Sequence, residues 1–128
     1  MPANETAVPK TISYPNLPLH AILKEKSRLY PSRTAIACSS AKTSYEELNS
    51  FSDHFASALF AMGVRKGDRV ALFLPNIPQF VIAFYGILKT GAIVTAISPL
   101  HREREVQHQL SDSEAETIVA LESLHPIL

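Results

Sequence analysis

Two apolar runs in the middle of the chain constrain its fold more than any other feature. Arg69-Val70-Ala71-Leu72-Phe73-Leu74 follows a Lys66-Gly67-Asp68 turn, and Ala92-Ile93-Val94-Thr95-Ala96-Ile97 follows Gly91. Apolar character without alternation marks strands covered on both faces, as in a parallel sheet. The residues between them read as the crossover that parallel pairing requires. Asn76 offers a cap, Pro78 falls near the first turn, and Gln79 takes the third helical position. Ile77, Phe80, Val81, Ile82, Phe84, Tyr85, Ile87 and Leu88 surround this helix almost completely, so it is predicted to be buried. Gly91 supplies the left-handed residue that stops it.

The flanking sequence extends the pattern. A first helix is expected to begin near Pro18, with Leu19, Ile22, Leu23, Lys26, Leu29 and Tyr30 on one face, and to end at Pro31. Thr34 to Cys38 reads as a short strand that turns through Ser39-Ser40-Ala41-Lys42 into a second around Lys42 to Ser44, making a hairpin. Ser44-Tyr45-Glu46-Glu47 fits a capping box. The helix behind it carries a stripe of Tyr45, Leu48, Phe51, Phe55, Ala58, Leu59 and Met62 and closes at Gly63. After Pro99, a polar helix from about Arg102 to Leu110 is anchored by Val106 and Leu110. Asp112 to Glu116 reads as a turn and Thr117 to Leu121 as a third strand. Strand, helix, strand, helix, strand with short connections implies right-handed crossovers. The expected fold is α/β, a partial Rossmann-like βαβαβ parallel sheet with a peripheral hairpin and flanking helices.

Composition narrows the function. The 128 residues are 46% apolar, enough for one domain with a core, and no internal repeat divides them. Twelve Lys and Arg balance twelve Asp and Glu, so nothing favours nucleic acid, which calls for a clustered basic surface. A lone Cys38 forms no intramolecular disulfide and suits a reducing compartment; lying within Ala35-Ile36-Ala37, it reads as a small core thiol. Residues 1–16 carry prolines at 2, 9 and 15 and no apolar core of signal-peptide length; they read as an extended arm. Ile77 to Leu88 is too short to cross a bilayer, which takes roughly twenty residues. The expectation is a cytoplasmic protein without a transmembrane segment.

Few residues suggest chemistry. His101, Glu105 and His108 stand at i, i+4 and i+7, a spacing that can present zinc ligands, but no fourth ligand is evident, and Arg102, Glu103 and Arg104 suit a solvated face. Serines, histidines and aspartates are present, but no serine stands in a nucleophile elbow. Glycines 63, 67, 86 and 91 are too dispersed for a phosphate-cradling loop. Lys66-Gly67-Asp68-Arg69 precedes a strand and so lies on the sheet's amino-terminal side. Ligands of open α/β sheets bind at the opposite edge, where Leu74-Pro75-Asn76 and Ile97-Ser98-Pro99 fall.

Several of these segments together resemble one family. Thr43-Ser44-Tyr45-Glu46-Glu47-Leu48 resembles the first core motif of the adenylate-forming (AMP-binding) enzymes, and Leu88-Lys89-Thr90-Gly91-Ala92 resembles their second, Leu-Lys-Ala-Gly-Ala/Gly. Gly63 to Asn76 resembles the family's Gly-x-x-Lys-Gly-Asp-Arg-Val strand entry. Ser98-Pro99-Leu100 and Gln109-Leu110-Ser111-Asp112-Ser113 are similar to the Asn-Pro-Leu and Gln-Leu-x-Asp-Ser patterns of fatty-acyl and coumarate-type CoA ligases, with Ser98 in place of Asn. Thr90 to Thr95 departs from the Gly-Gly-Ala-Tyr-Val-Pro usual in peptide synthetases.

The resemblance implies the N-terminal part, from about residue 17 to 128, of the large domain of an AMP-forming acyl-CoA synthetase. The parent enzyme would activate a carboxylic acid with ATP and Mg²⁺ to an acyl adenylate and pass the acyl group to CoA. The family's Ser/Thr/Gly-rich phosphate loop, its metal and ribose carboxylates and its C-terminal lysine match no position here. No catalytic, cofactor-binding or metal residue is therefore assigned, and the chain alone is expected to be inactive. The expected partner is the remaining C-terminal portion of the enzyme, or a second copy. A stand-alone, non-catalytic module that pairs with a full-length relative is the alternative.

Overall fold

The computed structural model describes residues 11–128. The first ten residues of the expected arm lie outside this range; residues 11–18 form neither helix nor strand and are exposed. The elements that follow are α1 (Leu19–Leu29), β1 (Thr34–Cys38), β2 (Ala41–Ser44), α2 (Tyr45–Ala61), β3 (Arg69–Phe73), α3 (Pro78–Thr90), β4 (Ile93–Ala96), α4 (Glu103–Ser113) and β5 (Thr117–Ala120). A 3₁₀ segment, Glu122–Ile127, comes last.

β3 is the centre of a three-stranded parallel sheet of order β4-β3-β5, with Arg69 opposite Ile93 on one side and Val70 opposite Thr117 on the other. Its apolar run is continuous because both faces are covered. Val70, Leu72 and Leu74 pack with Leu59, Ala83 and Ile87 of α2 and α3. Ala71 and Phe73 pack the other way, with Val106 of α4 and, beyond it, Leu124 and Ile127. β1 and β2 form the separate antiparallel hairpin.

The predicted caps are present where residue chemistry dictates them. The Ser44 N–H donates to Glu47 Oε2 at 2.8 Å and the Glu47 N–H to Ser44 Oγ at 3.1 Å, a complete capping box at the start of α2. Gly91 ends α3 at φ 83°, a conformation a side chain would strain.

Asn76 does not cap α3. A residue before proline is driven to extended backbone, and Ile77 adopts φ −122°, ψ 161° in front of Pro78. Ile77 is thus the N-cap, Pro78 is the first helical residue and Gln79 the second, while Asn76 is exposed one position too early. Asn76→Ala is expected to change the unfolding free energy by less than ~0.5 kcal/mol, as at other surface positions; a chemical denaturation midpoint near that of the parent checks this.

Three other expectations are corrected. The stripe on α2 is rotated: Leu48, Ser52 and Leu59 are buried, whereas Phe51, Ala58 and Met62 face outward. The α1 face is narrower than its periodicity suggests. Leu23 alone is fully buried, and Leu19, Leu29 and Tyr30, at the helix ends, are exposed. α4 runs on through Asp112 and Ser113, and the chain turns at Glu114, which takes the left-handed conformation at φ 53°. α3 is half-buried along most of its surface, with Ala83, Gly86 and Ile87 fully enclosed.

Candidate functional site and family

The favoured edge of the sheet carries a groove. The carboxyl ends of β3 and β4, with Leu74-Pro75-Asn76 and Ile97-Ser98-Pro99-Leu100, enclose about 480 Å³ beside Phe80. Its wall is a built turn. The Leu100 N–H donates to Ser98 Oγ at 3.3 Å and the His101 N–H to the Ser98 carbonyl at 3.0 Å. Serine here closes the local loop that an asparagine side chain would also close. Gln109 Nε2 of α4 donates to the Ala96 carbonyl at 2.7 Å and ties that helix to the end of β4. His101 Nδ1 is buried at this edge and has no hydrogen-bond partner among the described residues.

His101, Glu105 and His108 do not form a metal centre. α4 begins at Glu103, so His101 lies before the helix and the i, i+4 relation does not apply to it. Glu105 is turned back to accept the Arg102 N–H at 2.8 Å. Among the described residues no group of three or more His, Cys, Asp or Glu is placed to hold a metal ion. Cys38 is half-buried in β1.

The amino-terminal edge is occupied by structural bonds. The Arg65 N–H donates to Asp68 Oδ2 at 2.7 Å, and the Arg65 guanidinium donates to the Phe60 and Val64 carbonyls at the end of α2. The N–H groups of the three left-handed glycines are all taken: Gly63 by Phe60, Gly67 by Gly91 and Gly91 by Leu88. None can cradle a phosphate. A polar hollow of about 330 Å³ lies here, beside the exposed pair Arg69–Glu114 at 3.4 Å.

Lys89 has a clear role. Its ammonium donates to the Asn49 carbonyl at 3.0 Å, Asn49 Oδ1 at 2.8 Å and Asp53 Oδ1 at 2.7 Å, and its side chain is 10% exposed. It pins α3 to α2. Lys89→Met keeps the stem but removes three bonds at once and leaves Asn49 Oδ1 without its donor. The expected loss is ~1–3 kcal/mol, read as a lower denaturation midpoint; an unchanged midpoint would show that water replaces the ammonium at no cost.

This parallel sheet, its two-sided helical cover and its motif-bearing caps define a class that comparison makes specific. The family model described as AMP-binding enzyme matches residues 23–127, and the chain belongs to that family. The long-chain-fatty-acid–CoA ligase of Bacillus subtilis (strain 168) is 37% identical over 119 residues, covering 93% of this chain and 21% of that protein. Triostin synthetase I of Streptomyces triostinicus is 37% identical over 98 residues, covering 77% and 19%. The chain thus spans about a fifth of the length of these curated relatives. The inhibitor-bound crystal structure of the N-terminal domain of FACL13 from Mycobacterium tuberculosis superposes with a TM-score of 0.80 at 30% identity, covering 84% of this chain and 28% of that one.

Proposed function

We propose that this chain is the N-terminal scaffold of an AMP-forming acyl-CoA synthetase of the fatty-acyl type. Its parent would join a carboxylic acid to AMP with ATP and Mg²⁺, and then transfer the acyl group to CoA. The observation that carries the reading is the use of the motif residues. Ser44, Glu47, Gly67, Lys89 and Gly91 are engaged in caps, turns and helix clamping within the chain. That supports a scaffolding role, with the reacting groups supplied by the rest of the enzyme. The fatty-acyl assignment is supported by the Bacillus relative, whose match extends over nearly the whole chain. The partner in this reading is the remaining portion of the large domain, which would cover α3 and the sheet edges. A cytoplasmic location belongs to the same reading and rests on the single free Cys38.

Two measurements test it. The purified chain, given Mg-ATP and a panel of fatty and aromatic acids, is expected to release no pyrophosphate above background, because the charge-stabilising groups of the transition state are missing. Acid-dependent turnover would refute this. The second is a chimera of the Bacillus ligase with residues 17–128 of this chain in place of its matching segment. Retained ATP- and CoA-dependent thioester formation is expected. A folded chimera without activity would overturn the scaffold assignment.

A further inference from the structure

The end of β4 is a corner tied by a side chain from α4. The Ile97 N–H donates to the Leu72 carbonyl at 3.0 Å. In a planar trans peptide the carbonyl points away from its N–H. The Ala96 carbonyl, in the same peptide unit, therefore turns away from β3, toward the outer side of β4, which is an edge strand among the described residues. There it accepts from Gln109 Nε2 at 2.7 Å, thirteen positions further along the chain. A carbonyl can only accept, so this contact also fixes which way the Gln109 amide faces.

The bond spans the whole connection between strand and helix. Ile97 is buried with Val106 of α4, Ser98 holds the turn through Leu100 and His101, and Arg102 is the N-cap of α4. Gln109 closes this segment into a ring that forms one wall of the groove at the carboxyl edge, opposite Leu74, Pro75 and Phe80. The opposite wall holds itself, because Leu74 is buried and the Ile77 N–H donates to the Pro75 carbonyl at 2.8 Å. We propose that Gln109 is a positioning residue, which fixes the β4 wall of this groove and, through it, the fit of a substrate at the sheet's carboxyl edge. Ligands of open α/β sheets bind at that edge, and misplacing a supporting group by about an ångström is enough to cost substrate use. For the substrate the inference rests on the scaffold reading above; for the corner it rests on this chain alone.

Two variants test it. Gln109→Leu keeps most of the side chain's reach and removes the donor, whereas Gln109→Lys keeps a donor. In hydrogen exchange of the full chain, the Ile97 and His101 amides of Gln109→Leu should exchange about fivefold faster, the weight of one hydrogen bond. Gln109→Lys should exchange at the unsubstituted rate, and the β3 amides should be unchanged in both. In the Bacillus chimera, Gln109→Leu should raise the KM for one of the acid, ATP and CoA at least about fivefold and leave kcat within about twofold. Gln109→Lys should restore that KM. Unchanged exchange at Ile97 and His101 overturns the proposal, and so do kinetics in which no KM rises, since a merely structural bond would lower the folded fraction and leave KM alone. A folded, unsubstituted chimera without activity refutes the scaffold reading instead, and the exchange result then decides this inference by itself.

Discussion

Leu72→Ala is expected to destabilise the chain by ~2–5 kcal/mol, the range for emptying a fully enclosed leucine site. Leu72 has no solvent exposure, lies on the middle strand and is surrounded by Leu74 and Ala83, with Phe55, Phe80, Phe84, Val94, Val119 and Leu121 beyond. Hydrogen bonds on both edges of β3 hold the backbone in place, so the cavity cannot easily close. Leu29→Ala is the matched control, because its side chain is already half exposed at the end of α1; it should cost less than ~0.5 kcal/mol. Urea denaturation of the pair decides the matter. Comparable losses would mean that β3 is not the centre of the fold.

Gly86→Val should be the second severe change, at a cost of ~1–3 kcal/mol from overpacking. A Cβ at position 86 would lie 2.7 Å from Phe55 Cδ1, 3.1 Å from Phe55 Cβ and 3.2 Å from the Ser52 carbonyl oxygen. A rotating ring could relieve the first contact, but the other two involve the root of a side chain and the backbone of α2. The helices must therefore separate. Ser52 opposite is fully buried, small, and internally satisfied by donating to the Leu48 carbonyl at 2.7 Å. Gly86→Ala should be milder, since replacing glycine within a helix returns up to ~1 kcal/mol of helix propensity. Equilibrium denaturation should rank parent, alanine and valine in that order. A valine variant as stable as the parent would show that α2 and α3 do not touch at this crossing.

The elements that were legible in the sequence are those whose signal is local. Ser44 and Glu47 announce a cap because each reaches the other's N–H within one turn, and Gly91 announces a stop because few other residues adopt its backbone. The β3 run reads correctly because full enclosure removes alternation. The misreadings arise where a neighbour decides. Asn76 has the right chemistry for a cap, but Pro78 moves the helix start past it. On α2, periodicity finds an apolar arc without saying which part meets α3. The arc that packs is centred on Ser52, a polar residue invisible to an apolar count, because it faces Gly86. His101 kept its spacing to Glu105 and His108 but not its helix. The groove at the carboxyl edge was legible in position from the order of elements. The clamp by Lys89 was not, because its partners Asn49 and Asp53 lie forty and thirty-six residues away.

The central strand precedes both of its partners in the chain. Arg69 pairs with Ile93 and Val70 with Thr117, so during synthesis β3 emerges with neither flank in place. The residues of the clamp between α2 and α3 emerge before those of β4, and β5 emerges last. Because closing a longer loop costs more entropy, assembly should proceed outward from the packed pair α2 and α3 with β3 between them in the chain, the β3–β5 ladder forming after the β3–β4 ladder. In pulse-labelled hydrogen exchange during refolding, the amides of β4 should then gain protection ahead of those of β5. The order in which the ribosome delivers these strands would thus also be the order in which the sheet is built.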